Sequence, residues 1–217
     1  MKRYTRQEIK EAMCLYAVTD SMWLNGRALP EVVKEALEGG ATFMQIREKE
    51  LPYEEFLALA KEVKKVTDAY HVPYVVNDEV EIAKAIDADG VHIGQSDKGL
   101  TEARKILGPD KIIGVSTQTV EQAVEAEKNG ADYLGVGSIF TTSTKLDADA
   151  VSMDTLHEIC EAVSIPVVAI GGINRDNILD LKGTKVDGVA VVSAIFAAGN
   201  IREATSKLRS VADELVR

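Results

Sequence analysis

The sequence predicts a single α/β domain, a (β/α)8 TIM barrel with an extra short helix at its N-terminus. Three observations carry this expectation. Short β-branched runs alternate with stretches of helical periodicity eight times over, and such alternation implies a parallel sheet covered by helices. The 217 residues lie within the range of one closed barrel. The runs start apolar and end polar, as in barrels whose chemistry sits at the C-terminal strand ends. An open doubly wound sheet is the alternative, and it usually needs fewer strands.

The elements follow in order. Residues 5–13 form the extra helix, capped by Thr5 with Glu8 three positions on, and placed to cover the barrel floor. Strands are expected over 15–20, 43–49, 74–78, 90–95, 112–117, 133–140, 166–172 and 188–195. Helical periodicity fills 29–38, 54–70, 80–86, 100–107, 120–129, 153–163, 175–181 and 201–216. Four phrases separate a helix from the next strand: Gly39-Gly40-Ala41-Thr42, Asp87-Ala88-Asp89-Gly90, Asn129-Gly130-Ala131-Asp132 and Lys185-Val186-Asp187-Gly188. Glycine is expected there to supply the left-handed cap that ends a helix. No linker or second domain interrupts residues 1–217.

Bulk properties exclude several classes. A formal net charge of −10 and a pI near 4.9 argue against general nucleic-acid binding, which needs a basic face. Cys14 and Cys160 match no metal-ligand spacing and read as core thiols. Low cysteine usage, no leader and no long apolar run suggest a soluble cytoplasmic protein without a membrane partner. A homo-oligomer is left open.

Within this acidic chain, Gln45, Arg47 and Lys49 stand two residues apart at the end of the second run. Alternation along a strand would turn all three to one face and Ile46 to the other. Two cations and an amide are costly to bury unless something negative meets them, so the cluster reads as an anion site suited to a diphosphate. Asn77-Asp78 ends the third run, and His92, Gln95 and Asp97 follow along the fourth. Two carboxylates with oxygen-rich neighbours suit Mg²⁺; the bland alternative is that Asp78 caps a helix and Asp97 makes a turn. Ser116 ends the fifth run. Thr142, Ser143, Thr144 and Lys145 follow the sixth, with a solvated loop as the bland alternative. Gly171-Gly172 and Ser193 end the seventh and eighth, where barrels often bind phosphate through backbone N–H groups. His92 is read equally as a structural or a catalytic histidine.

The phrases Gln45-Ile46-Arg47-Glu48-Lys49, Asn77-Asp78, His92 to Asp97, Gly114-Val115-Ser116, Gly137 to Lys145, Ala169 to Ile173 and Val192 to Ile195 together resemble the thiamine phosphate synthase family along essentially the whole chain. The resemblance implies a (β/α)8 barrel joining a pyrimidine diphosphate to a thiazole phosphate, with Mg²⁺, to give thiamine phosphate and pyrophosphate. It implies that pyrophosphate leaves first and that the thiazole nitrogen traps the resulting pyrimidine methyl cation. Gln45, Arg47, Lys49, Asn77, Ser116 and Lys145 match the family's pyrimidine diphosphate site, with Ile46 and Glu48 inside the same motif. Asp78 and Asp97 match its Mg²⁺ ligands. Thr142, Ser143, Thr144, Gly172, Val192 and Ser193 match its thiazole phosphate site. Arg47, Lys49, Lys145 and Ser116 are the residues expected to act in catalysis. Ser138 and Thr141 stand where the family usually has proline, which implies a more mobile loop after the sixth strand. Gln118 stands where histidine is common.

Three other readings compete. A thiazole tautomerase has no leaving diphosphate and should not need Arg47, Lys49, Asp78, Asp97 and Lys145 together. A non-catalytic barrel that senses thiamine precursors lacks a supporting extra element. A sugar-phosphate epimerase leaves Arg47 and Lys49 unexplained.

Overall fold

Each β-branched run pairs with its neighbours in sequence, so the sheet closes on itself. The computed structural model describes residues 4–94, 99–141 and 150–217; Asp97, Thr142, Ser143, Thr144 and Lys145 lie outside them. Eight parallel strands form a closed barrel in sequence order: β1 (Leu15–Val18), β2 (Phe43–Ile46), β3 (Tyr74–Asn77), β4 (Gly90–Ile93), β5 (Ile112–Thr117), β6 (Tyr133–Val136), β7 (Val167–Ile170) and β8 (Gly188–Val191). Around it lie α1 (Arg6–Ala12), α2 (Leu29–Glu38), α3 (Tyr53–Tyr70), α4 (Val80–Ala85), α5 (Leu100–Leu107), α6 (Val120–Lys128), α7 (Met153–Ala162), α8 (Ser193–Phe196) and α9 (Ile201–Leu215). No helix among the described residues is long and apolar enough to cross a membrane.

Two apolar layers follow from strand alternation. Leu15, Ala17, Met44, Ile46, Val76 and Val91 face outward and pack against the helices. Tyr16, Phe43, Val75, Ile112, Tyr133 and Val168 face inward. Tyr16 and Phe43 ring centroids are 4.5 Å apart, and Tyr133 packs edge-on to both. Gly114 makes room for this centre, since a Cβ there would overlap the Tyr133 ring. The inward cluster also takes in Ile9 and Met13, so α1 plugs the floor as expected. Thr5 and Glu8 complete its capping box.

The four helix-to-strand phrases form one repeated device. Thr42 precedes β2, Asp89 β4, Asp132 β6 and Asp187 β8. Each side-chain oxygen accepts the backbone N–H of the first or, in β5, the second residue of the preceding strand: Thr42 Oγ1 from Leu15 at 2.8 Å, Asp89 from Tyr74 at 2.9 Å, Asp132 from Ile113 at 2.9 Å and Asp187 from Val167 at 2.8 Å. The backbone N–H of each returns a bond to the same residue's carbonyl. Two positions earlier the backbone is left-handed every time, at Gly40, Asp87, Gly130 and Lys185. Glycine therefore supplies this turn only twice. Gly90 and Gly188 serve close packing instead, since a Cβ there would fall on the Ile112 or Met13 carbonyl.

The strands are shorter than the sequence suggests at their C-terminal ends. β2 stops at Ile46, so Arg47, Glu48 and Lys49 leave the alternating ladder. β8 stops at Val191, and Ser193 to Ile195 begin α8. The helix expected over 175–181 is a 3₁₀ turn, Ile178–Leu181. Another 3₁₀ turn, Ser21–Trp23, follows β1.

Candidate active site

The inward ends of the strands build a polar floor to the mouth. Gln45, Asn77, His92 and Ser116 succeed one another on β2 to β5, and alternation turns each toward the barrel axis. They form one hydrogen-bonded chain with the aromatic centre below. Ser116 Oγ lies 3.0 Å from His92 Nε2, and His92 Nδ1 lies 2.9 Å from the Tyr133 hydroxyl. The Tyr133 and Tyr16 hydroxyls are 2.8 Å apart, and Tyr16 donates to Gln45 Oε1. Gln45 Nε2 donates to Asn77 Oδ1 at 2.7 Å, and Asn77 Nδ2 to Asp78 Oδ2 at 2.5 Å. Burial raises the Tyr16 and Tyr133 phenols well above their ordinary range, so both keep their protons.

Arg47 and Lys49 do not share one face as the alternation argument requires. Released from the ladder, they splay to opposite neighbours. Arg47 donates to Asp20 Oδ2 at 2.8 Å, at the end of β1. Lys49 donates to Asp78 Oδ2 at 2.6 Å, at the end of β3. Glu48, between them, is buried; its carboxyl is pushed up by burial and pulled down by a hydrogen bond from Ser21. Its Oε1 has no hydrogen-bond partner among the described residues. Two cations thus stand beside three carboxylates, Asp20, Glu48 and Asp78. Among the described residues, the net-positive pocket expected from sequence is instead a rim on which carboxyl groups outnumber cations.

Asp20 is the residue that sequence reading passes over. It caps the Ser21–Trp23 turn through Oδ1, accepting from Met22 N at 3.0 Å, while Oδ2 holds Arg47. Its signal was position: the last polar residue of the first run, beside the strand that carries Arg47. Tyr16 and Tyr133 were equally visible as hydroxyl-bearing residues of inward parity. Ile46 turns its fully buried side chain into the helix layer, so only its backbone lies along the mouth.

Gly171 and Gly172 end β7 with φ of 102° and 64°, a region that favours glycine. The segment after β6 lies directly on them: Ile139 N bonds Ile170 O and Phe140 N bonds Gly171 O, both at 3.0 Å. A Cβ on Gly171 would overlap Ser138, and one on Gly172 would meet Thr141 O at 2.5 Å. The glycines are thus required by the neighbouring chain. Ser138 is buried, donates to Phe140 O at 2.7 Å and accepts from Val151 N at 2.8 Å, tying both sides of the 142–149 segment. Val192 and Ser193 lie on β8's C-terminal side, next to β7 in the barrel.

Asp78 fits one part of a magnesium site. It adopts a left-handed backbone, φ 64°, and offers hard carboxylate oxygen, the ligand type Mg²⁺ takes alongside water and phosphate oxygens. No group of three or more His, Cys, Asp or Glu side chains that could hold a metal occurs among the described residues.

The thiamine monophosphate synthase family profile matches residues 15–195. A thiamine-phosphate synthase of Clostridium tetani is 49% identical over 200 residues, covering 92% of this chain and 96% of the relative. One of Clostridium botulinum is 51% identical over 195 residues, covering 89% and 95%. The solved thiamine phosphate pyrophosphorylase of Pyrococcus furiosus is 43% identical and superposes with a TM-score of 0.89, covering 96% of this chain and 100% of that one. The barrel, the strand-end residues and these likenesses converge: the chain belongs to the thiamine phosphate synthase family.

Proposed function

We propose that this mouth joins an aminopyrimidine diphosphate to a thiazole phosphate with the help of Mg²⁺, releasing pyrophosphate. The chain is an enzyme of the thiamine-phosphate synthase type. The observation that supports the finer reading is the gathering of Gln45, Arg47, Lys49, Asn77, Asp78 and Ser116 at the ends of β2, β3 and β5. Arg47 and Lys49 bind diphosphate oxygens in this reading, Arg47 through the face of its planar fork not held by Asp20. Gln45, Asn77 and Ser116 orient the pyrimidine ring with fixed polar groups.

Because Asp20, Glu48 and Asp78 offset Arg47 and Lys49, these five residues alone give no excess positive charge to a leaving diphosphate. Bound Mg²⁺, held by Asp78 and, as the family resemblance implies, Asp97, would supply that charge as a Lewis acid on phosphate oxygens. Lys145 is a further cation in this reading. Gly172, Val192, Ser193 and the Thr142-Ser143-Thr144 phrase hold the thiazole phosphate, which brings the two rings into attack geometry. Departure of pyrophosphate before ring attack needs no strong base.

Incubating the purified protein with both substrates and Mg²⁺ tests this directly. Thiamine phosphate and pyrophosphate should form in equal amounts and stop forming in excess chelator. A folded protein that makes neither product overturns the assignment; full turnover in chelator overturns the metal.

A further inference from the structure

The polar chain beneath the mouth has a direction. Asp78, paired with the Lys49 ammonium, is a carboxylate and can only accept. The Asn77 group facing it must therefore be the NH₂, which leaves Oδ1 to face Gln45. The Gln45 group facing Asn77 must then be its NH₂, which leaves Oε1 to face Tyr16. Tyr16 has one hydrogen and spends it there. The contact between the two phenols thus needs the Tyr133 hydrogen. With that hydrogen spent, Tyr133 accepts from His92, so Nδ1 carries a proton. A neutral imidazole has one N–H, so Nε2 accepts, and the hydrogen between it and Ser116 belongs to Ser116. The heavy-atom contacts are all 3.0 Å or shorter.

We propose that His92 is a positioning residue, held as the Nδ1–H tautomer by the chain running from Asp78 through Asn77, Gln45, Tyr16 and Tyr133, and that it ties down the Ser116 hydroxyl hydrogen. In the free protein Ser116 consequently presents an oxygen that accepts. The substrate group complementary to it is an N–H, such as a ring amino group. A phosphate oxygen could take the serine hydrogen only if the chain reversed. This inference deepens the reading of the mouth as the reaction site and rests on it for its functional meaning, but the tautomer is measurable without turnover.

The test is nitrogen-15 NMR of the histidine rings in the ligand-free protein, with His71 and His157 assigned by their loss in His71→Gln and His157→Gln. The expected result is one neutral His92 tautomer protonated at Nδ1. An Nε2–H tautomer or an imidazolium overturns the proposal. Tyr16→Phe cuts the chain and should release His92 to a mixture or to Nε2–H; Gln45→Met cuts it one link further and serves if Tyr16→Phe does not fold. An unchanged Nδ1–H tautomer in the cut chain overturns the role of Asp78. His92→Gln keeps a donor and an acceptor, whereas His92→Leu keeps neither. The glutamine variant should retain at least tenfold more kcat than the leucine variant, and equal rates would reduce His92 to packing. Should the protein make no thiamine phosphate while His92 is Nδ1–H, the functional reading fails and the chain's direction stands.

Discussion

The two ends of the barrel use similar residues for opposite purposes. At the floor, Thr42, Asp89, Asp132 and Asp187 repeat one geometry at every second strand, each exchanging two bonds with the preceding strand. At the mouth no such geometry repeats among the described residues. Asp20 holds Arg47, Asp78 holds Lys49, and Gln45, Asn77, His92 and Ser116 hold one another in a single chain. A polar residue that recurs with the fold's own period is there to satisfy backbone groups that every strand pair leaves open. One that breaks the period is a candidate for binding a ligand. Charge points the same way: Asp132 is neutralised by the Arg104 fork beside it at 2.6 Å, a closed arrangement, while Asp78 shares one oxygen between Asn77 and Lys49 at the rim.

The proposed Mg²⁺ offers the severest way to break this contrast. Chelation should abolish turnover and leave the melting temperature unchanged, because the floor's bonds run between protein groups; calorimetry and product assay on the same sample check both. Next in size is Arg47→Ala, expected to lower kcat/KM by roughly 10²-fold or more, the scale of one preorganised electrostatic donor. Arg47→Lys should fall between, keeping charge and losing the fork. Neither should unfold the protein; unfolding would make Arg47 a structural partner of Asp20.

At the other end, Asp132→Ala removes the acceptor of both Ile113 N–H and Arg104 while its side chain is 4% exposed. It should cost about 3 kcal/mol, the scale of breaking a buried pair, and lower the melting temperature by several degrees with kcat per folded molecule unchanged. Thr42→Val removes a neutral hydroxyl that accepts from Leu15 N and donates to Leu15 O, and should cost about 1 kcal/mol. Denaturant melts would measure both. A large activity loss in either, without unfolding, would erase the distinction between the ends.

Much of this division was legible in the sequence. Nearly all strand starts and most helix bounds follow from β-branched runs, period and capping residues, since burial on both faces leaves a continuous apolar signal. The polar strand ends announced the mouth. What the sequence hid was where each ladder stops. Extending alternation past Ile46 put Arg47 and Lys49 on one face, whereas a loop is free to send them to Asp20 and Asp78. Asp20 escaped notice because a carboxylate beside an anion site looks misplaced until its cation is found. Tyr16 and Tyr133 escaped because their hydroxyls matter only in a closed barrel, where β1 and β6 side chains meet across the axis. Ser193 looked like strand because Val192 to Ile195 continues the apolar run of β8.

The central claim is that stability resides at the floor and chemistry at the mouth. The most direct measurement is a double-variant cycle of Arg47→Ala and Asp132→Ala, with kcat/KM and unfolding free energy determined for all four proteins. The account predicts additivity in both quantities within about 0.5 kcal/mol, as for distant sites with no shared partner. The Arg47 change should appear in turnover and the Asp132 change in stability. A coupling well above that size, or a double variant whose turnover loss exceeds that of Arg47→Ala alone while still folded, would contradict it.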